Sequence, residues 1–320
     1  MPIIPSTYLK PPAYLFNGHL ETIIPSLWRK VAGVEYTREK IDTPDGDFLN
    51  LDWSKVGGAK LLILSHGLEG DSRRHYALGL VKIFNQSGID VLVWNNRTCG
   101  GEMNLKPILY HHGASYDLET VVDHVLGQNI YQEIVLSGVS MGGAQTLKYL
   151  GEKGESLPKI ITKAAVYSTP CNLASSAATL KSRSNLFYKN RFLGKLKKKM
   201  EAKAVQFPNL IDLELLRRVQ DFDAFDTQFT AKLHGFKDAA DFYKTVSADN
   251  WMDRIAIPTL IVNALNDPLL GAECYPIKLA ESKSNLFLEM PERGGHTGFS
   301  LQDKEFTFGE IRILAFLHGA

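Results

Sequence analysis

Apolar, β-rich runs recur along the chain at Leu61–Leu64, Val91–Trp94, Ile134–Leu136, Ala164–Tyr167, Leu260–Val262 and Leu286–Leu288, with helical patterns between them. Strands alternating with helices in this way predict an α/β architecture, a mostly parallel sheet flanked by crossover helices. Two more strands are predicted upstream, over Val34–Ile41 and Asp47–Trp53, because Pro44-Asp45-Gly46 supplies the turn of an antiparallel hairpin. The sheet is therefore expected to have eight strands. One connection breaks the rhythm: roughly ninety residues separate the strands near Tyr167 and Leu260, far more than the few that join a helix to a strand. They predict a helical cap insertion over residues 171–254, with residues 1–170 and 255–320 forming the core domain.

Ile134–Leu136 leads into Gly138-Val139-Ser140-Met141-Gly142, a Gly-x-Ser-x-Gly pentapeptide, and Gly143–Tyr149 continues as the start of a helix. A serine held on a sharp strand-to-helix turn needs neighbours without bulk, and Gly138 and Gly142 provide that room, as in a nucleophile elbow. An activated serine also needs a base and a group to orient the base, which on such a sheet follow in the order serine, acid, histidine. Beyond Ser140, His234 falls in the insertion and His318 lies two residues from the last. His296 sits in the glycine-rich loop Arg293–Phe299, just past the last apolar run, and is the expected base. Asp267 follows the run that starts at Leu260, at a strand's carboxyl end where α/β folds hold their functional groups, and is the expected acid. Asp249 and Asp253 precede that strand, and Glu289 lies within or just after the last one.

Acyl transfer creates an oxyanion that needs backbone N–H donors positioned in advance. The amide of Met141, directly after the serine, and that of Leu68, in the loop opened by His66-Gly67, are the expected donors. His66 itself is expected to be structural.

A hydrophobic share of 44% and a charged share of 22% are ordinary for a globular protein, and a formal net charge of +1 argues against nucleic acid as a partner. Cys99, Cys171 and Cys274 are widely and irregularly spaced, as expected of buried thiols in a reducing compartment. Pro2, Pro5, Pro11 and Pro12 interrupt the start of the sequence, so no secretory signal is expected, and no run approaches the ~18 apolar residues of a membrane span. The expected location is cytoplasmic. His111 and His112 are adjacent and cannot both face one metal, and the Gly57-Gly58 and Gly142-Gly143 pairs lack P-loop and dinucleotide-binding spacing. No metal or cofactor is expected. Within the insertion, Lys181–Lys203 interleaves Lys195, Lys197, Lys198 and Lys199 with Phe187, Phe192, Leu193, Leu196 and Met200. It predicts a basic amphipathic helix, either a solvated face or a peripheral contact with an anionic membrane surface or acidic substrate.

With Ser140, Asp267, His296 and the His66-Gly67 loop in order, the chain resembles an α/β-hydrolase over nearly its full length. More narrowly it resembles the YheT-like group, the AB hydrolase 4 family. The resemblance is carried by Phe16-Asn17-Gly18-His19-Leu20-Glu21-Thr22-Ile23, His66-Gly67-Leu68-Glu69-Gly70, Asn95–Gly101, Gly138–Gly143, Asp221-Phe222-Asp223 with Gly235-Phe236, Asn266-Asp267-Pro268 and Gly294-Gly295-His296. It implies a Ser-Asp-His triad and a serine esterase, lipase or acyltransferase acting on esters or thioesters. One departure stands out: Arg97-Thr98 replaces the Arg-Gly pair common in the family. Some eukaryotic members carry an N-terminal membrane anchor, not expected here, so their phospholipid substrates are not carried over.

The expected function is that of a serine carboxylesterase or lipase-like hydrolase acting on a small-molecule ester with an apolar, lipid-like acyl group. Enzymes that form alkyl-enzyme esters on this fold need Asp at the elbow, and Ser140 excludes them. An acyltransferase using an alcohol in place of water is the alternative on the same residues, and a catalytically silent binding protein is the alternative from another class. Leu173, Leu180, Phe187, Phe192 and Phe222 are candidates for an apolar acyl pocket or for packing of the insertion.

Overall fold

In chain order the strands are β1 (Ile3–Ile4), β2 (Thr37–Asp42), β3 (Phe48–Ser54), β4 (Lys60–Ser65), β5 (Asp90–Asn95), β6 (Glu133–Val139), β7 (Ile161–Tyr167), β8 (Thr259–Val262) and β9 (Leu286–Glu289). They pair in one sheet of order β1-β9-β8-β7-β6-β4-β5-β3-β2. Strand β3 runs antiparallel to both β2 and β5, and every other pairing is parallel. The computed structural model describes residues 3–8 and 10–318; Met1, Pro2, Leu9, Gly319 and Ala320, all inside the expected core domain, lie outside the described residues. The ninth strand is β1, whose two residues are too few to leave a periodic signal. The predicted hairpin forms, with the Gly46 amide donating to the Thr43 carbonyl at 2.9 Å, although β2 begins three residues after Val34 at Thr37.

The helices are α1 (Gly18–Trp28), α2 (His75–Gln86), α3 (Ser115–Gln128), α4 (Met141–Lys153), α5 (Leu173–Leu180), α6 (Leu186–Gln206), α7 (Leu213–Arg218), α8 (Phe222–Phe225), α9 (Ala231–His234), α10 (Ala239–Val246), α11 (Ile277–Ser282) and α12 (Phe308–His318). Side chains alternate across the sheet as the pleat requires. Leu61, Ile63, Leu92, Trp94, Ile134 and Leu136 pack with α3 and α4 on one face. Leu62, Leu64, Val91, Val93 and Val135 pack with α2 and α12 on the other. Central strands covered on both sides are apolar throughout, which is why the runs were legible.

The strand ends are level with one another. Ser65 pairs with Gly138, Val139 with Tyr167, Tyr167 with Val262 and Val262 with Glu289. The loops that follow β4, β6, β7, β8 and β9 therefore leave along one edge, and that edge carries the candidate site.

Between β7 and β8 the chain forms α5 to α10, in which α8 passes through a π-helical turn at Asp226–Thr230 into α9. Two apolar clusters hold this segment, one with Leu193, Leu196, Met200, Phe222, Phe225 and Phe229, the other with Leu173, Ala177, Phe242 and Val246. Helix α6 is the expected basic helix, but its lysines are not a uniformly solvated face. Lys203 is fully buried and donates to the carbonyls of Asn104 and Lys106, and burial pulls its ammonium down to about 8. Lys197 donates to the Val219 carbonyl at 2.6 Å, and Lys199 pairs with Glu69 at 2.8 Å. Of the four lysines between 195 and 199, only Lys198 is exposed. Among the described residues, no helix is long and apolar enough to cross a membrane.

Candidate active site

Ser140 stands between the end of β6 and the start of α4 with φ 56° and ψ −124°, a conformation a side chain rarely adopts. The two glycines are fixed by close packing. A methyl at Gly138 would lie 2.3 Å from the Gly142 carbonyl oxygen, and one at Gly142 would lie 2.2 Å from that of Ser65. The strained turn is thus clamped between neighbouring strands.

His296 faces Ser140 from the loop after β9. Its Nε2 lies 2.9 Å from Ser140 Oγ, and its Nδ1 lies 2.8 Å from Asp267 Oδ2. Asp267 is 5% exposed and His296 8%, so water is largely kept from their hydrogen bond. The second carboxylate oxygen, Oδ1, accepts the Leu269 amide at 2.9 Å. With Asp267 accepting from Nδ1–H, Nε2 is left unprotonated toward the serine hydroxyl, the tautomer a general base needs. The other candidates stand elsewhere. His234 packs against His111 with ring centroids 4.4 Å apart, His318 is exposed at the end of α12, and Glu289 is bound to Arg312 at 2.6 Å.

The loop after β4 lies against the elbow: a methyl at Gly67 would be 3.1 Å from Ser140 Cβ. The Gly67 amide donates to the Tyr76 hydroxyl at 2.9 Å and the Glu69 amide to that of Tyr110 at 2.8 Å. Between them the Leu68 amide has no partner among the described residues, and neither has the Met141 amide. His66 holds this loop from below. Its Nδ1 donates to the Gly67 carbonyl at 2.8 Å, its Nε2 accepts the Asn96 amide at 3.0 Å, and burial pushes its pKa down to about 4. A neutral ring with both nitrogens committed to backbone is a brace.

Asn96 belongs to the loop after β5, where the Arg97-Thr98 departure falls. Arg97 is buried and bridges Asp45 at 2.7 Å and Asp117 at 2.8 Å. Thr98 adopts φ 65°, a left-handed conformation in which glycine is unstrained, and its buried hydroxyl finds no partner among the described residues.

The residues that steady His296 escaped sequence reasoning. Helix α1, capped by Asn17 accepting the Leu20 amide at 2.9 Å, packs behind the histidine loop. Thr22 Oγ1 accepts the His296 amide at 2.8 Å, and buried Glu21 accepts from the Gly294 amide and from Arg293 Nε. Asn266 Oδ1 accepts the Gly295 amide at 3.0 Å and Ser168 Oγ the Thr297 amide at 2.9 Å. Phe16–Ile23 carried part of the family resemblance, and this contact is its structural role.

Ser140 and His296 open into a cavity walled by α1, the Gly67-Leu68 loop and α6, with Phe187 and Phe192 among its lining residues. A second cavity lies beneath α6 and α8 and is walled by Leu173, Phe222, Phe225 and Phe229. Leu68, His112, Ser176 and Leu180 line both. Its floor is polar: Asp226 accepts from the hydroxyls of Thr230 at 2.7 Å and Tyr243 at 2.8 Å, and burial raises its carboxyl to about 6.

A mostly parallel sheet with a strained Ser140 at one strand end and the His296 and Asp267 side chains against it has counterparts among known proteins. The α/β hydrolase fold model matches residues 60–302, and the esterase Pf2001 of Pyrococcus furiosus shares the fold with a TM-score of 0.59 at 16% identity, covering 91% of this chain and 95% of that one. The chain belongs to the α/β-hydrolase family, and within it to the YheT-like group. It is 31% identical over 292 residues to YheT of Escherichia coli (strain K12), provisionally named an esterase, covering 88% of this chain and 84% of that one. It is 28% identical over 308 residues to phospholipase ABHD3 of Homo sapiens, covering 93% of this chain and 75% of that one.

Proposed function

We propose that the protein is a serine carboxylester hydrolase acting on an ester with an apolar, lipid-like acyl group. The observation that carries this is the single imidazole of His296 within hydrogen-bond reach of both Ser140 Oγ, at 2.9 Å, and Asp267 Oδ2, at 2.8 Å. Ser140 Oγ attacks the ester carbonyl as its proton passes to His296 Nε2, and Asp267 orients the ring and stabilises the imidazolium. The Leu68 and Met141 amides bind the oxyanion, which their lack of internal partners supports. The tetrahedral adduct expels the alcohol, which takes the proton from His296. Water, deprotonated by the same nitrogen, then releases the carboxylic acid and restores Ser140.

The phenylalanine-lined second cavity supports an apolar acyl half, as do the esterase and phospholipase names borne by the two relatives. We assign residues 171–254 as a cap covering the site of a core formed by residues 1–170 and 255–320, supported by the apolar clusters of α5 to α10. We also assign the protein to the cytoplasm, supported by three buried, unpaired cysteines.

The test is hydrolysis of p-nitrophenyl esters from acetate to palmitate by wild type and Ser140→Ala, with a fluorophosphonate adduct mapped by mass spectrometry. Turnover that vanishes in the variant, with the adduct on Ser140, is the expected result. Turnover retained by Ser140→Ala refutes the assignment.

A further inference from the structure

The cavity around Ser140 carries a charge that ester hydrolysis alone does not call for. Arg74 enters its wall from the N-cap of α2, and Arg191 and Lys195 enter from α6, where they follow Phe187 at four-residue intervals and so share one helix face. Among the described residues, no Asp or Glu lines this wall and none of the three cations has a carboxylate partner. Arg74 donates to the Glu69 carbonyl at 2.6 Å. The Glu69 carboxylate also acts on Lys195, but it is already held by Lys199 at 2.8 Å and by the Tyr110 hydroxyl at 2.6 Å.

Such a cluster is unfavourable when nothing negative lies between its members. Arg191 and Lys195 are one helical turn apart, a spacing at which like charges repel. Lys195 is held below the ordinary lysine value by burial first and by the Arg74 charge second. The start of α2 adds to the same field. Arg74 makes no side-chain capping bond, and the amides of His75 and Tyr76 have no partner among the described residues. His75, nine-tenths buried in this wall, keeps Nδ1 without a partner. Two guanidiniums, an ammonium and a helix N-terminus together match a phosphate dianion.

The second cavity assigns the two halves of the ester. It is apolar where it is lined by Phe222, Phe225 and Phe229, and it shares Leu68 and Leu180 as wall residues with the charged cavity. The acyl chain has a place there, and the alcohol half then faces the cations. We propose that Arg74, Arg191 and Lys195 form an anion subsite that binds a phosphate on the alcohol half, so that the substrate is a fatty-acyl ester of a phosphorylated alcohol. The ester in this statement rests on the serine-hydrolase reading above; the subsite is a binding site that is measured without turnover.

Two experiments separate them. Titrating sn-glycerol 3-phosphate, with glycerol as control, into Ser140→Ala is expected to give binding heat for the phosphate alone, weakened at least tenfold by 0.5 M salt. Adding Arg191→Gln and Lys195→Gln to that protein is expected to abolish the heat, while Arg191→Lys with Lys195→Arg keeps it. Wild type assayed on monomeric 1-decanoyl-glycerol and its 3-phosphate is expected to favour the phosphate at least tenfold in kcat/KM, chiefly through KM, with parity in the double glutamine variant. Equal kcat/KM on the two esters, with no phosphate heat in Ser140→Ala, overturns the subsite and leaves the esterase standing. Phosphate heat that the glutamines abolish in Ser140→Ala, together with a wild type that cleaves neither these esters nor the p-nitrophenyl series, sustains the subsite and overturns the esterase.

Discussion

The Thr22 hydroxyl accepts the amide hydrogen of His296 at 2.8 Å across 274 residues of chain, so α1 is bonded to the backbone of the residue that faces Ser140. Thr22→Val leaves a buried amide unpaired, a cost of about 1–3 kcal/mol borne by the loop that aims the imidazole. We expect kcat on p-nitrophenyl esters to fall tenfold or more with KM little changed. A variant with wild-type kcat would show that the loop holds His296 without α1.

Asp267 meets the other side of that imidazole. Under the proposed mechanism Asp267→Asn presents the wrong tautomer to Ser140 and lowers kcat by on the order of 10⁴. The fold should survive, because Asn keeps the volume and an acceptor for the Leu269 amide. Circular dichroism together with steady-state kinetics checks both halves, and activity within tenfold of wild type would remove Asp267 from the mechanism.

The second cavity predicts a chain-length dependence. Each methylene buried there is worth about 0.8 kcal/mol, close to fourfold in kcat/KM, until the cavity is filled. Ala177, at 5% exposure, lies in its wall. Ala177→Phe should therefore move the optimum to shorter acyl chains while acetate hydrolysis holds. An unchanged chain-length profile would place the acyl group elsewhere.

The strain at Thr98 gives a stability prediction. A β-branched residue at φ 65° with a stranded hydroxyl costs on the order of 1–3 kcal/mol, and only part of that is returned to the greater freedom of an unfolded glycine. Thr98→Gly should stabilise by about 1 kcal/mol and raise Tm by ~2 °C. A lower Tm would mean that the threonine packing outweighs its backbone strain.

Buried and half-buried histidines set the response to acid. Burial pushes His66, His112 and His234 down to about 4, and burial with the Arg29 and Arg74 charges pushes His75 down to about 3. An unfolded imidazole titrates near ~6.5, so between that value and about 4 the unfolded chain binds protons that the folded chain refuses. Stability is therefore full above ~6.5 and falls as the pH drops, by about 1.4 kcal/mol per pH unit for each histidine. Urea midpoints at pH 7, 6 and 5 should fall steeply; a flat series would mean that these rings protonate in place.

What the sequence disclosed was what is written locally. Gly138 and Gly142 flank Ser140, and Asp267 and His296 lie in the loops after the last two buried strands, so each could be named as a candidate from its neighbours. Glu21 and Thr22 could not, because their contacts with the 293–296 loop exist only once the sheet has brought the two segments together. Lys203 misled for a similar reason. It belongs to a basic run, and only the carbonyls of Asn104 and Lys106, about a hundred residues earlier, make its burial tolerable.

The bond between Thr22 and His296 also bears on when the protein can first act. Ser140 and its elbow are made 156 residues ahead of the histidine, which settles against a helix made earlier still. A nascent chain that has only reached the end of the helical segment holds Ser140 without His296. On the proposed mechanism, reactivity toward esters is withheld until the two distant parts of the polypeptide meet, and chains abandoned short of residue 296 are inert.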